Sequence, residues 1–291
     1  MLGEHVVSIK LFLFVCFVGL TISLFTYFRS LVQNQSPQVV YCDVGQGDGT
    51  YVRTITGIDI IIDAGPDSSI LTCLGKYMPI FDKTIEYAFL SHPQHDHYAG
   101  FIPMLANYRI TTFYSSLGDN KAKSYTVLKK LLSQKGTTIK RIFAKNTIDI
   151  DLESRIDFLW PEKDFYSSDL NDYSQTFVLT LANKSFLFTG DASPRSLTLT
   201  KLRSWNNTIQ IDVLKVPHHG SKNGLTEDFF KLANPRVSVI SVAVHNRYKH
   251  PSPSIISMLK ASKRPYFLTS EKGDISFTIL PEELLPQFGH D

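Results

Sequence analysis

The sequence predicts a layered α/β domain that follows an N-terminal membrane-spanning helix. Short apolar runs alternate with helical patterns, and polar segments rich in histidine and aspartate repeatedly follow the ends of those runs. The uncharged stretch of residues 11–28 predicts the helix. No repeat interrupts the remainder, so we expect an anchor and linker over residues 1–38 and one domain over residues 39–291.

The N-terminal stretch matches a membrane anchor better than a cleaved signal peptide. About 18 to 20 apolar residues cross a bilayer as a helix, and Lys10 and Arg29 flank the uncharged run. A signal peptide would have a shorter apolar core and small residues at its cleavage site, where this chain has bulky residues such as Tyr27 and Phe28. We therefore expect a single-pass membrane protein with the domain outside the cytoplasm, and a polar linker over residues 33–38.

The first half of the domain contains three apolar runs that end in polar donors. They are residues 39–42, 58–62 and 84–90. A short helix is expected from about residue 99 to 107. A second is expected over residues 124–134, where apolar residues share one face and Gly136 ends the helix.

The second half predicts further strands and capped helices. A strand is expected over residues 156–160, a hairpin over residues 177–189, and strands over residues 211–216 and 236–244. Helices are expected after three capping residues, Ser193, Thr226 and Ser252. Residues 267–269 and 275–279 are expected to pair as a hairpin around Lys272-Gly273.

The densest set of donors follows the run that ends at residue 90. It reads Ser91-His92-Pro93-Gln94-His95-Asp96-His97. Imidazole and carboxylate groups suit zinc, or sometimes iron or manganese. A polar loop with coincidental histidines is the alternative. Matching donors follow apolar runs at four other places, which are Asp63, Asp191, His218-His219 and His250. Because the carboxyl ends of strands meet at one edge of an α/β sheet, these donors predict one metal site.

The net charge and the cysteine residues give little support for a nucleic-acid partner or a cysteine metal site. The formal net charge of +3 is too small to indicate a nucleic-acid partner by itself. Cys16 lies in the apolar stretch, and no Cys-x-x-Cys spacing indicates a cysteine zinc site. Cys42 and Cys73 could pair, but we expect them to be buried free thiols.

Motifs from residue 43 to residue 251 occur in the order typical of one family. They are Asp43-Val44-Gly45-Gln46-Gly47-Asp48, Asp63-Ala64-Gly65, Ser91-His92 with Asp96-His97, Asn171 with Ser174, Thr189-Gly190-Asp191, Val216-Pro217-His218-His219-Gly220-Ser221, and Asn246-Arg247-Tyr248 with His250-Pro251. In these motifs the chain resembles the metallo-β-lactamase fold, and within it the soluble domain of ComEC-type competence channels. The resemblance implies a four-layer αβ/βα sandwich with a metal site, usually dinuclear, between its sheets.

The resemblance also implies roles for individual residues. His92 would bind a first metal ion, Asp96 and His97 a second, and Asp191 both, while His219 or His250 would complete the site and His218 would be a ligand or an acid. The resemblance further implies structural positions near the site for Asp43, Asp48, Asp63, Asn171 and Ser174. Sequence alone does not decide between His219 and His250.

One position departs from the family pattern. The superfamily cluster reads His-x-His-x-Asp-His, and Gln94 replaces its second histidine. Glutamine is a poor ligand, so the first ion would bind weakly and a mononuclear site is an alternative. His95 could compensate through a shift of the loop, although we expect it to point elsewhere.

The resemblance implies a hydrolase that depends on one or two zinc ions, with manganese as an alternative. Asp96, Asp191 and His218 would be its catalytic residues. Lys222, Arg247 and Tyr248 are candidates to bind a phosphate or to protonate the leaving group, and solvated surface charge is the alternative for Lys222 and Arg247. We expect a phosphodiesterase or nuclease that acts on DNA during uptake, associated with a competence-type channel and without an organic cofactor. The alternatives are a hydrolase of a choline phosphoester or a lactone, and a metal-poor accessory binding module.

Overall fold

The computed structural model describes residues 2–33, 36–200, 202, 210–280 and 282–290. It divides into two compact units, Met1–Ser36 and Pro37–Asp291. The first unit contains one helix, α1 (Leu2–Gln33). The second unit contains all the strands of the described chain.

The predicted membrane anchor is wrong. A bilayer-spanning helix needs about 20 consecutive apolar residues. None of the helices in the described part of the chain is both long and apolar enough to cross a membrane. The prediction of a single-pass membrane protein is therefore wrong. The predicted position of the domain outside the cytoplasm depended on that anchor and loses its basis. Of the predicted linker, residues 34–35 lie outside the described residues.

The larger unit is built on two sheets, and the first of them has eight described strands in the order β15-β14-β1-β2-β3-β4-β5-β6. These strands are β1 (Gln38–Tyr41), β2 (Gly49–Arg53), β3 (Asp59–Ala64), β4 (Thr84–Leu90), β5 (Arg109–Ser115), β6 (Thr138–Arg141), β14 (Ile275–Ile279) and β15 (Leu284–Phe288). Strands β3 to β6 run parallel, so the ends of β3 and β4 lie at the same edge.

The second sheet has seven described strands in the order β13-β12-β11-β10-β9-β8-β7. These strands are β7 (Thr147–Asp151), β8 (Ser154–Trp160), β9 (Thr176–Leu181), β10 (Lys184–Phe188), β11 (Val213–Lys215), β12 (Val237–Ile240) and β13 (Tyr266–Leu268). Strands β9 and β10 form the predicted hairpin, and strands β10 to β13 run parallel.

The predicted hairpin around Lys272-Gly273 is wrong. Strand β13 pairs in parallel with β12 in the second sheet, whereas β14 pairs with β1 and β15 in the first. The short helix Thr269–Lys272 lies between β13 and β14 in the chain. Two adjacent apolar runs therefore carry the chain from one sheet to the other instead of pairing with each other.

Helices cover the outer face of each sheet, so the predicted α/β class with two sheets is confirmed. Helices α2 (Ser69–Tyr77), α4 (Phe101–Asn107) and α5 (Lys123–Gln134) pack on the first sheet, and α6 (Pro194–Leu199), α7 (Glu227–Ala233) and α8 (Pro253–Ala261) pack on the second. Two single-turn helices, α3 (His95–Tyr98) and α9 (Thr269–Lys272), lie in the segments that follow β4 and β13. Hydrophobic clusters of described residues separate four layers: one lies between the sheets, and one lies under the helices of each side.

Two of the three predicted N-terminal caps are confirmed. Ser193 accepts a hydrogen bond from the Ser196 N–H, and Thr226 accepts one from the Phe229 N–H. Helix α8 begins at Pro253 as predicted, but the Ser252 side chain makes no cap bond to the described backbone. Its hydroxyl lies 3.0 Å from that of Ser254 instead.

The prediction of free thiols at Cys42 and Cys73 is also wrong, because the two residues form a disulfide. Their Cα atoms lie 5.8 Å apart, within the range that a disulfide spans. Helix α2 packs Cys73 against the end of β1, which places it beside Cys42. The partners are 31 residues apart in sequence, so their spacing gave no sign of this tertiary contact.

Candidate metal centre

Four predicted ligands meet where strand ends from the two sheets face each other. Asp96, His97, Asp191 and His219 each place one ligand atom within 4.8 Å of the others. Asp96 and His97 lie on α3, which follows β4. Asp191 follows β10, and His219 lies in a 3₁₀ turn (Pro217–Gly220) that follows β11. The sequence thus brings together donors that are up to 123 positions apart, as the separation of Asp96 and His219 shows.

Asp191 lies at the centre of this cluster. Its Oδ1 is 3.3 Å from His97 Nε2 and 3.5 Å from His219 Nε2. His219 Nε2 is also 3.6 Å from Asp96 Oδ2. These distances leave all four groups facing one small volume.

Uncommon backbone conformations aim these side chains. His218 and His219 both have a φ of 53°, in the left-handed region that non-glycine residues seldom adopt. Gly190, which precedes Asp191, has a φ of 48°. A Cβ at Gly190 would lie 2.8 Å from Ser91 Cβ, so glycine lets the Asp191 turn approach the end of β4.

The donor set fits a divalent metal ion. His92 Nε2, His97 Nε2, His219 Nε2 and Asp191 Oδ1 are buried and have no hydrogen-bond partner among the described residues. The Nε2 atoms of His97 and His219 interact with Asp191 Oδ1 only as ion pairs, at 3.3 and 3.5 Å, and not through hydrogen bonds. Four such atoms of imidazole and carboxylate type are the ligands that zinc, iron and manganese accept.

Hydrogen bonds behind the imidazoles fix their orientation. His97 Nδ1 lies 2.8 Å from Asp63 Oδ2, and Asp63 in turn accepts bonds from the backbone and hydroxyl of Ser91. His219 Nδ1 donates to the Ser241 carbonyl at 3.0 Å. Each ring therefore turns its Nε2 toward the cluster, which is the arrangement that supports metal-binding histidines.

The charges of the cluster are balanced by protons on two histidines. Burial lowers the pKa of His219, but Asp191 and Asp48 outweigh it and raise that pKa to about 10. Asp191 and Asp63 likewise hold the pKa of His97 above its usual value against the effect of burial. A divalent cation would neutralise the same carboxylates when these protons leave.

His92 differs in charge from the other two imidazoles. Burial and the nearby charge of His97 lower its pKa to about 3. Its ring centroid lies 4.3 Å from that of His97, and its side chain is fully buried. His92 is therefore neutral, which is the form that binds a metal.

His218 and His250 lie at the rim of the cluster. His218 Nε2 is 3.7 Å from Asp191 Oδ2, and its side chain is 24% exposed. The His250 ring centroid lies 5.8 Å from that of His218. Of the two residues that the sequence left open, His219 is in the four-residue group and His250 faces His218.

Gln94 and His95 are not in the four-residue group. Gln94 Nε2 donates to Asn171 Oδ1 at 2.6 Å. His95 is exposed, and its ring packs edge-on against Tyr98 with centroids 5.7 Å apart. The backbone of α3 turns the His95 side chain away while it turns Asp96 and His97 inward.

The residues expected near the site are divided between two places. Asp48 and Asp63 lie within the buried cluster with His97, and Ser174 Oγ accepts a bond from the Asp191 N–H at 3.1 Å. Asp43 points elsewhere: its carboxylate accepts from the Gly45 N–H, and its own N–H donates to Asp274.

Sequence reasoning missed Lys215. Its side chain is 3% exposed, and its Nζ lies 2.5 Å from Asp48 Oδ2. Although burial raises the pKa of Asp48, the charges of Lys215 and His219 hold it below its usual value. A lysine inside the apolar run that forms β11 was the available signal, because a buried lysine is rare unless it is paired.

The three residues that were expected to bind a phosphate are exposed. Lys222, Arg247 and Tyr248 all face solvent. Arg247 Nη2 donates to the Tyr248 hydroxyl at 2.6 Å. The charge of Arg247 also interacts with that of Asp96.

Comparison with known proteins gives a consistent set of relatives. The profile of the metallo-beta-lactamase superfamily matches residues 42–245. ComE operon protein 3 of Bacillus subtilis (strain 168) is 25% identical over 197 residues, which cover 67% of this chain and 25% of that protein. Recombination protein 2 of Haemophilus influenzae is 26% identical over 281 residues, which cover 92% of this chain and 32% of that protein.

A solved structure shares the fold. The metallo-beta-lactamase fold protein YhfI from Bacillus subtilis superposes with a TM-score of 0.56 at 15% identity, and the match covers 80% of this chain and 96% of YhfI. The chain spans about a quarter to a third of the length of the two curated relatives.

Proposed function

Since the chain belongs to the metallo-beta-lactamase superfamily, we propose that it is a divalent-metal-dependent phosphodiesterase that cleaves DNA. The observation that carries the proposal is the set of buried imidazole and carboxylate atoms between the sheets that have no hydrogen-bond partner among the described residues. The curated relatives support DNA as the substrate, because the name Recombination protein 2 refers to a process on DNA. A role beside a competence-type channel remains a prediction.

Asp96, His97, Asp191 and His219 would hold the ion, with His92 beside them. A divalent ion supplies Lewis acidity, which makes water more acidic and stabilises negative charge that develops on a phosphoryl group. Gln94 is bonded to Asn171, and this supports one ion bound more tightly than any second. Zinc and manganese both suit this donor set.

The other residues would act on the substrate and its protons. His218 is partly exposed beside Asp191, so its Nε2 can give a proton to the leaving oxygen. Arg247 and Lys222 are exposed cations, and a guanidinium suits a phosphate particularly well because it bonds through two N–H groups.

Metal removal tests the proposal. The full chain is treated with a chelator, its metal content is measured, and zinc or manganese is restored before incubation with single-stranded DNA, duplex DNA and an aryl phosphodiester. We expect hydrolysis to disappear and return with the metal. Asp191→Asn should reduce hydrolysis by several orders of magnitude, whereas Asp149→Asn, an exposed carboxylate on β7, should leave it unchanged.

Other results would assign other functions. Undiminished hydrolysis by Asp191→Asn would reject the site. Intact DNA with cleavage of the aryl phosphodiester would indicate a hydrolase of another ester. Little metal uptake and no hydrolysis of any substrate would indicate a metal-poor accessory binding module.

A further inference from the structure

We propose that Tyr248 forms a stacking subsite for an unpaired nucleobase at the mouth of the metal centre, with Arg247 binding the adjoining phosphate. This inference rests on the proposed function and adds a feature that the substrate must have. Both residues lie in a loop of residues 243–250, which follows β12.

A series of aromatic rings connects Tyr248 with the cluster. His218 lies beside Asp191, and the ring of His250 meets that of His218 at an angle of 74°. The ring of Tyr248 is nearly parallel to that of His250, with an interplanar angle of 16° and centroids 5.7 Å apart. A base stacked on Tyr248 would therefore lie next to a phosphate held at the rim of the cluster.

The loop is held in this conformation before any ligand arrives. The Asn246 side chain donates to the carbonyls of Ala243 and His250, at 3.2 and 2.8 Å, and accepts a bond from the His250 N–H at 2.8 Å. The Ala243 N–H also reaches Gln46 Oε1 at 3.4 Å. A loop that is fixed in advance loses little conformational entropy when it binds a ligand.

The Tyr248 ring contributes little to the protein core. Half of its surface is exposed, and it belongs to none of the hydrophobic clusters formed by the described residues. Single exposed apolar side chains are common on protein surfaces. Tyr248 differs from them because it continues a row of rings that begins at the metal centre.

Arg247 completes the subsite. Its guanidinium carbon lies 4.8 Å from the centre of the Tyr248 ring, and its Nη2 bonds the Tyr248 hydroxyl. Guanidinium groups and aromatic rings are the surfaces on which proteins stack unpaired bases. A phosphate that replaces the Tyr248 hydroxyl as the partner of Arg247 would draw the guanidinium off the ring and uncover a face for the base, so that the cation and the ring bind adjacent parts of one nucleotide.

The subsite predicts a preference among nucleic acids. A base inside a duplex is already stacked and paired, so placing it on Tyr248 first costs the energy of flipping it out. Strands with unpaired bases avoid this cost. The subsite therefore favours single strands, and within a strand it favours nucleotides that carry a base over abasic ones.

Binding by the metal-free full chain tests this inference separately from hydrolysis. Fluorescence anisotropy would compare a single-stranded oligonucleotide with the same strand made abasic at every position. Stacking contributes about 1–3 kcal/mol per base, so we expect the wild type to bind the base-bearing strand about 5- to 150-fold more tightly. Tyr248→Ala should abolish this difference, and Tyr248→Phe should retain it because the ring is retained.

A second variant separates the ring from the charge. Arg247→Ala should weaken binding of both strands and reduce the slope of log affinity against log salt by about 1. Equal binding of the two strands by the wild type, or an equal loss for both in Tyr248→Ala, would overturn the inference. If the metal-loaded chain fails to cleave DNA but the base preference is present, the proposed function fails and the subsite stands.

Discussion

His97 shows how a single side chain is prepared for a ligand. Its Nδ1 is bonded to Asp63, and its Nε2 is left facing Asp191. Asp63 is itself held by two hydrogen bonds from Ser91. The bond behind the ring selects which nitrogen carries the proton, so its effect should be visible in metal affinity.

We predict that Asp63→Asn weakens zinc binding by about 10- to 100-fold, the usual effect of losing a group that orients a metal-binding histidine. The amide retains the size of the carboxylate but lacks its charge. Competition with a chromophoric chelator would measure the affinity, with Asp149→Asn as the matched control. Unchanged affinity in Asp63→Asn would mean that His97 does not depend on this bond.

For single residues, the sequence indicated which side chains belong to the site better than it indicated which side chains contact each other. Asp96, His97 and Asp191 could be singled out because they follow apolar runs, and such ends meet in an α/β fold. The choice of His219 over His250 depends on left-handed backbone conformations that two non-glycine residues adopt. The partner of Lys215 is 167 positions away, so no local pattern indicates it.

Helix α3 reaches the metal centre through close contacts between backbone segments. Gly100, which ends the segment after α3, donates its N–H to the Gly65 carbonyl at 2.9 Å. A Cβ at Gly100 would overlap the carbonyl oxygen of Ala64 and lie 2.7 Å from that of Asp67. The turn after β3 thus lies directly against the segment that carries Asp96 and His97.

We predict that Gly100→Ala lowers the free energy of unfolding by about 1–3 kcal/mol, because a methyl group has no space there and the backbone must shift. The variant should also bind metal more weakly, since α3 would move away. Gly75→Ala is the control: its Cβ would meet nothing within 4 Å, and in helix α2 alanine should stabilise by about 0.5–1 kcal/mol. Denaturant unfolding would measure both, and equal stability of the two variants would contradict the packing argument.

Element order along the chain was more predictable than strand pairing. The run of residues 177–189 formed the expected hairpin because its turn is short and both strands belong to one sheet. The runs that became β13 and β14 are separated by six residues instead of two; β13 pairs with β12, and β14 pairs with β1 and β15. Local turn signals do not decide such cases, because the partners of β12, β13 and β14 belong to two different sheets built from distant parts of the chain.

Over the whole molecule, the largest concentration of buried charge lies between the two sheets. Asp48, Asp63 and Asp191 are all at most 5% exposed. In the metal-free chain, Lys215 and the protonated imidazoles of His97 and His219 offset these carboxylates. The stability of the domain should therefore depend on pH in a way that metal binding changes.

We predict that the gap in melting temperature between the zinc-loaded and metal-free full chain widens from pH 6.5 to pH 9. The folded-state pKa of His219 is raised from 6.5 to about 10, so its stabilising charge is fully present below pH 6.5 and is lost as the pH rises toward 10. Zinc replaces that charge, and its affinity rises with pH because protons no longer compete for the imidazoles.

Thermal unfolding across this range would measure the gap in melting temperature. Groups far from the site titrate equally in both forms and cancel, and His219→Gln should reduce the metal-free decline but not abolish it, because the pKa of His97 is raised as well. A constant or narrowing gap would show that His219 is not the group that exchanges its proton for the metal.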